Sequence, residues 1–240
     1  MSTRTFNNNS SGTQNNSTSF SVFEDFITNV NAIDSGLTNS NKVGSTGMYI
    51  ENTNGGGGSA SVGTGDINHP GVLSIGGGTG DTVTLQLKNT FFDFRNYING
   101  STLEILSSIN TLSTKGFIGY NDSDVWTNTS VHYLGFELVS TGVGSIDVTG
   151  KYFDNSGSPV TTSTVSINKT DYYKFKIIVN TAGTSASFYI DGTLLGTIAI
   201  STWSVAITPG VFGPDNSFGT PSNKHFIIDY FALNSDNITR

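Results

Sequence analysis

DYYKFKIIVN (residues 171–180) and SFYIDGTLLGTIAI (residues 187–200) decide how the chain is read. In the first, Tyr173, Phe175, Ile177 and Val179 share one side, and Tyr172, Lys174, Lys176 and Ile178 share the other. That alternation is the period of a strand with one core face. In the second, two apolar runs flank Asp191-Gly192, a dipeptide that accepts the positive φ angles of a two-residue hairpin turn. Together they predict adjacent antiparallel strands.

Further strands are predicted outward from this hairpin. TVTLQL runs through Val83 and Leu87, STLEILSS spans Leu103 and Leu106, GFIGY covers Phe117 to Tyr120, and HYLGFELVS follows from His132. HFIIDYFAL (residues 225–233) is apolar on both faces apart from Asp229, as suits a strand near a sheet centre. SVFEDFITNV (residues 21–30) stays open: Val22, Phe23, Phe26, Ile27 and Val30 fit a helical face, whereas Phe20, Val22, Phe26 and Val30 fit a strand face. Many short strands separated by turn residues, with almost no helical periodicity, predict an all-β antiparallel sandwich or jelly roll. At 240 residues one large sandwich suffices.

Composition narrows the function classes. Charged residues make up 12% of the chain, and 11 Lys and Arg against 18 Asp and Glu leave a net charge of −7. No basic stripe is available for phosphates, which argues against nucleic acid and against an anionic membrane surface. No cysteine is present, so disulfides, thiolate metal sites and a cysteine nucleophile are excluded. The first 20 residues lack the apolar segment of a secretory signal, and no run of about 18 apolar residues occurs. A chain made in the cytoplasm without an export signal is expected. Residues 2–19, nearly all Asn, Ser and Thr, are too polar to order themselves and read as a flexible arm.

The glycine-rich stretch NTNGGGGSASVGTGD (residues 52–66) and the island INHPGVLSI (residues 67–75) raise the question of a phosphate loop. GTGDIN has Asn68 where a third glycine belongs, and Gly150-Lys151 is followed by Tyr152, so neither the dinucleotide nor the P-loop pattern is met. His69, His132 and His225 lack metal-ligand spacing. The four glutamates, at 24, 51, 104 and 137, do not form the paired carboxylates of a glycosidase strand, since Glu104 is followed on its side by Leu106 and Ser108. Glu104 reads as a solvent-facing or hydrogen-bonded strand residue.

The richest polar segment is YNDSDVWTN (residues 120–128). Its alternating oxygens, with Asp122 and Asp124 foremost, can ligate calcium, although the full twelve-position loop with its closing Glu is missing. Tyr120 and Trp126, with Trp203 elsewhere, are the aromatic candidates for stacking on a sugar ring. The plain alternative is a loop whose Asp and Asn cap turns while Trp126 packs on a sheet edge. No catalytic residue and no cofactor is assigned.

FEDF at Phe23, HPGVLSIGGGTG at His69, GFIGYNDSD followed by HYLGFELV, DYYKFKIIVN, FYIDGTLLGTI and the closing HFIIDYFAL together resemble concanavalin A-like (LamG-type) jelly-roll domains. More narrowly, they resemble those of tailed-bacteriophage virion proteins. The segment order matches over residues 20–240, leaving residues 1–19 as the arm. The resemblance implies that FEDF lies on an opening strand. It also implies a non-enzymatic structural protein of a virus particle, a head decoration, head fibre or tail appendage, present as a homo-oligomer or in many copies. Residues 2–19 would then dock on other virion proteins. A lectin module recognising a cell-surface glycan is the alternative, and a polysaccharide hydrolase or lyase stands third.

Overall fold

In the computed structural model Asp191 and Gly192 adopt φ angles of 49° and 80°, the doubly left-handed geometry of the tight turn expected there. The structure describes residues 18–25, 41–43, 48–52, 59–63, 71–77, 83–87, 98–111, 115–122, 130, 132–142, 144–201, 205, 207–213 and 224–238. The turn joins β13 (Ser185–Ile190) to β14 (Thr193–Ala199). It is fastened to β12 (Tyr172–Val179) by the Lys174 N–H, which donates to Asp191 Oδ1 at 2.8 Å.

These strands form one end of sheet I. The order continues through β7 (Ser101–Thr111), β16 (Lys224–Ile238), β5 (Val72–Gly77) and β4 (Ser59–Gly63), and β1 (Thr18–Asp25) also pairs with β16. Sheet II runs β11 (Val160–Asn168), β10 (Ser145–Phe153), β9 (Tyr133–Ser140), β8 (Lys115–Asn121), β15 (Thr208–Phe212), β6 (Val83–Gln86), β3 (Met48–Asn52) and β2 (Asn41–Val43). Every pairing between described strands is antiparallel. The chain is an all-β jelly-roll sandwich.

Alternate side chains of the two sheets meet in one interior. Phe175 and Phe188 of sheet I stand against Phe136 of sheet II, with ring centroids 5.4 and 5.3 Å apart and edge-to-face planes. Each such ring contributes roughly 1.5–3 kcal/mol by leaving water. Ile105, Ile177, Phe231, Ile118, Leu134 and Val148 extend the same cluster.

Three expectations take definite form. Residues 18–25 are strand, so the open segment resolves in favour of the strand over the part that is described, and Thr18 and Ser19 open β1 rather than close the arm. The island appears as β5, with Leu73 and Ile75 buried. HFIIDYFAL is indeed central, yet its two apolar faces have a different cause. The register against β7 shifts between Ile228 and Tyr230, so Asp229 is a bulge residue that reverses the alternation. Phe226 and Ile228 before it and Phe231 and Leu233 after it therefore all point inward. Residues 1–17 of the predicted arm lie outside the described residues.

Candidate functional site

The outward side of sheet I collects the side chains that core packing leaves over. On β7, Leu103 and Ile105 turn inward, which puts Thr102, Glu104 and Leu106 outside. Glu104 pairs across β7 with Lys176 of β12 on one side and Ala232 of β16 on the other. Ala232 in turn pairs with Phe23 of β1, so one row reads Phe23, Ala232, Glu104, Lys176. Neighbouring rows supply Tyr230 beside Leu106 and Lys174, and Asn234 beside Thr102.

The polar groups of this face engage one another. Tyr230 Oη donates to Glu104 Oε1 at 2.6 Å. Lys176 Nζ lies 3.4 Å from Glu104 Oε2 and Lys174 Nζ 3.8 Å from Oε1. Burial, the hydrogen bond to Glu104 and that carboxylate's charge hold the Tyr230 phenol well above the usual tyrosine range. Phe23 is 38% exposed and its ring centroid is 5.7 Å from that of Tyr230. Ser21 Oγ donates to Asn234 Oδ1 at 2.5 Å. The result is a ring surface next to an oriented carboxylate, two ammonium groups, a phenol and an amide.

The outward side of sheet II carries a second glutamate between two lysines. Glu137 Oε1 is 3.1 Å from Lys115 Nζ, and Oε2 contacts Lys151 Nζ. Here the carboxylate is buried, with 8% of its side chain exposed. Alongside it Phe117, Tyr133 and Phe212 form a small separate apolar cluster, joined by Phe153. Gly119 and Gly135 pair directly across β8 and β9. A Cβ on Gly135 would meet Phe117 Cζ at 2.6 Å, so the missing side chain is what lets that ring lie on the sheet. Burial and then the charge of Glu137 push the Tyr133 phenol up to about 12.

The cross-strand neighbours of Glu104 are Lys176 and Ala232, and those of Glu137 are Phe117 and Thr149. No second carboxylate stands directly opposite either one.

Of the residues expected to form a site, Tyr120 and Asp122 are described. Tyr120 points inward, is 1% exposed and shares a hydrogen bond of 2.9 Å with Ser101 Oγ, so its ring is packed in the interior rather than presented to a sugar. Asp122 Oδ2 accepts from the His132 backbone N–H at 3.0 Å and lies 3.2 Å from His132 Nδ1, tying together the two ends of the loop between β8 and β9. Asp124, Trp126 and Trp203, and with Asp124 the calcium expectation, lie outside the described residues. Phe23, Tyr230, Lys174 and Lys176 were not singled out, although the alternation in YYKFKIIVN already put both lysines on the polar side.

No protein-family model and no curated protein matches the chain. Solved structures do. A protein of unknown function from Shewanella oneidensis is 17% identical, with a TM-score of 0.60 over 92% of this chain and 89% of that one. The fourth domain of an extracellular arabinanase from Geobacillus stearothermophilus, in complex with arabinotriose, is 13% identical, with a TM-score of 0.52 over 80% of this chain and 84% of that one. A family 16 endo-glucanase from Bacteroides ovatus is 11% identical, with a TM-score of 0.51 over 88% of this chain and 98% of that one. At these identities the likeness establishes the jelly-roll sandwich and nothing finer.

Proposed function

We propose that this chain is a glycan-recognising jelly-roll module, acting as a non-catalytic part of a virus particle, and that it binds on the outward side of sheet I. The observation that carries the reading is the exposed Phe23 and the Tyr230 ring beside Glu104, Lys174, Lys176 and Asn234. A sugar offers an apolar ring face and a belt of hydroxyls, and this surface offers a ring to stack on with donors and acceptors at its rim. Support from fold likeness comes from the arabinanase domain, which was solved holding an oligosaccharide. The endo-glucanase shares the sandwich, but retaining and inverting glycosidases alike need two carboxylates flanking the bond, and Glu104 faces a lysine and an alanine.

The virion placement rests on the order of sequence segments that resemble phage proteins, and copurification of the chain with particles tests it. The binding reading is tested by a glycan array with the full chain, followed by titration calorimetry on the hits with the wild type and Phe23→Ala. Binding that weakens about tenfold in the variant is expected, since one stacked ring contributes roughly 1 kcal/mol or more. New reducing ends released from a bound polysaccharide would instead make the chain a hydrolase.

A further inference from the structure

Resting on that reading, we propose that the sugar bound by sheet I is an acidic one, whose carboxylate is taken by Lys174 and Lys176. The two lysines are two residues apart on β12, so their side chains leave the same face about 7 Å apart at the backbone. Both converge on Glu104, one near each carboxylate oxygen. Glu104 is itself oriented by the phenol of Tyr230. Two ammonium groups thus share the Glu104 carboxylate, while Asp191 Oδ1, at the tip of the neighbouring hairpin, accepts from the Lys174 backbone N–H at 2.8 Å. Asp229, in the bulge of β16, stands on the other side of β7 from both lysines.

The existing ion pairs are of a kind that a ligand can replace. The lysine side chains are 45% and 35% exposed, and their distances to Glu104 are 3.8 and 3.4 Å. Exposed pairs of this geometry contribute about 0–1 kcal/mol, so turning an ammonium from Glu104 to an incoming carboxylate costs little. The lysines of the other face differ. Lys151 and Lys115 hold a buried carboxylate that would be stranded if they left it. Lys169 is tied to Ser140 Oγ and the Gly142 carbonyl at 3.1 and 2.6 Å. Lys174 and Lys176 are therefore the exchangeable pair among these.

Acidic and neutral sugars place opposite demands on Glu104. For an acidic ligand Glu104 is a competitor, and Glu104→Gln should tighten binding by about fivefold. For a neutral ligand Glu104 is a hydroxyl acceptor, and the same change should weaken binding. The experiment titrates the full chain, Glu104→Gln and the double variant Lys174→Gln/Lys176→Gln with an oligogalacturonate, with sialyllactose and with a neutral oligosaccharide of similar length. The expected result is binding of one acidic probe, tightened in Glu104→Gln, lost by about tenfold or more in the double variant, and weakened by added salt. Whichever acidic probe binds tells a uronate from a sialic acid. Binding of the neutral probe as tight as either acidic one overturns the inference and leaves the glycan reading intact. No binding of any probe by the wild type, together with an empty array, overturns both.

Discussion

Glu104 and Glu137 each contact two lysines on the outward side of a sheet, and they show how the same three charges do different work. Glu137 is buried beside Phe117, Tyr133 and Phe212, with its two lysines folded onto it. Glu104 is 23% exposed, with longer ion pairs to lysines that are 45% and 35% exposed, and the phenol that holds it packs against the exposed Phe23. Desolvation makes the first set stiff and costly to disturb, because a buried charge cannot lose its partner cheaply. Solvent makes the second set weak and replaceable. One face is thereby committed to holding sheet II together, while the other keeps its charges available to a ligand.

The largest expected contrast lies in the two phenylalanines. Phe117 is 0% exposed and wedged against Tyr133 and Phe212, with centroids 5.8 and 6.2 Å away. Phe117→Ala should cost about 3–5 kcal/mol. Phe23 stands on β1, which among the described strands pairs with β16 alone, and is 38% exposed; Phe23→Ala should cost under about 1 kcal/mol. Urea denaturation of the two variants checks this. Equal losses would mean that the outward side of sheet I is covered in solution and is not a binding surface.

The glutamates themselves give the next contrast. Glu137→Gln removes the buried carboxylate charge that Lys115 and Lys151 both contact. The loss should be about 2–3 kcal/mol, below the full penalty for a broken buried pair because the lysines are still 34% and 21% exposed. Glu104→Gln should move stability by less than about 1 kcal/mol in either direction. Thermal denaturation in low and high salt adds a second reading. Screening should erase the small Glu104 effect and leave most of the Glu137 effect. If salt removes both alike, the burial of Glu137 is not what distinguishes the faces.

Much of this arrangement was legible before the structure, and the exceptions have identifiable causes. Alternation in YYKFKIIVN separated Lys174 and Lys176 from the core side, and Asp191-Gly192 named its turn. The placement of Tyr120 was not legible, because GFIGYN is apolar at both parities. Phe117 and Ile118 are equally buried, one outward in the small cluster and one inward in the main core. Only pairing with β9 and β15 reveals which side of β8 is which. Tyr230 was hidden for another reason: the bulge at Asp229 reverses the phase of β16 midway, and a bulge leaves no mark in residue type. Phe23 was open because its segment fits periods of 2 and 3.6 equally, and pairing with the end of β16, more than 200 residues away, settles it as strand.

The smallest expected contrast is on the alkaline side, where a tyrosine on each face has its proton held. Tyr133 is raised to about 12, first by burial and then by the charge of Glu137. Tyr230 is also raised, first by burial and then through its hydrogen bond to Glu104. A phenol whose pKa is higher in the folded state binds its proton more tightly there. Its contribution to stability is complete below the ordinary tyrosine pKa, near 10, and is lost as pH rises through the folded value. Stability should therefore decline from about pH 10 towards 12. Tyr133→Phe should make that decline shallower by removing one titrating group. Glu137→Gln should also narrow it, because only the burial part of the Tyr133 shift remains. On the other face Glu104→Gln removes the charge acting on Tyr230 and leaves a neutral amide oxygen as the acceptor of its hydroxyl, beside burial and the charge of Asp229. Urea midpoints measured from pH 8.5 to 11.5, a range that starts below the decline and covers most of it, give the slopes. Curves for Glu137→Gln and Glu104→Gln that run parallel to the wild type would mean that neither glutamate acts on its tyrosine in solution. In that case burial alone would govern both faces, and the charges would separate them only through the lysines.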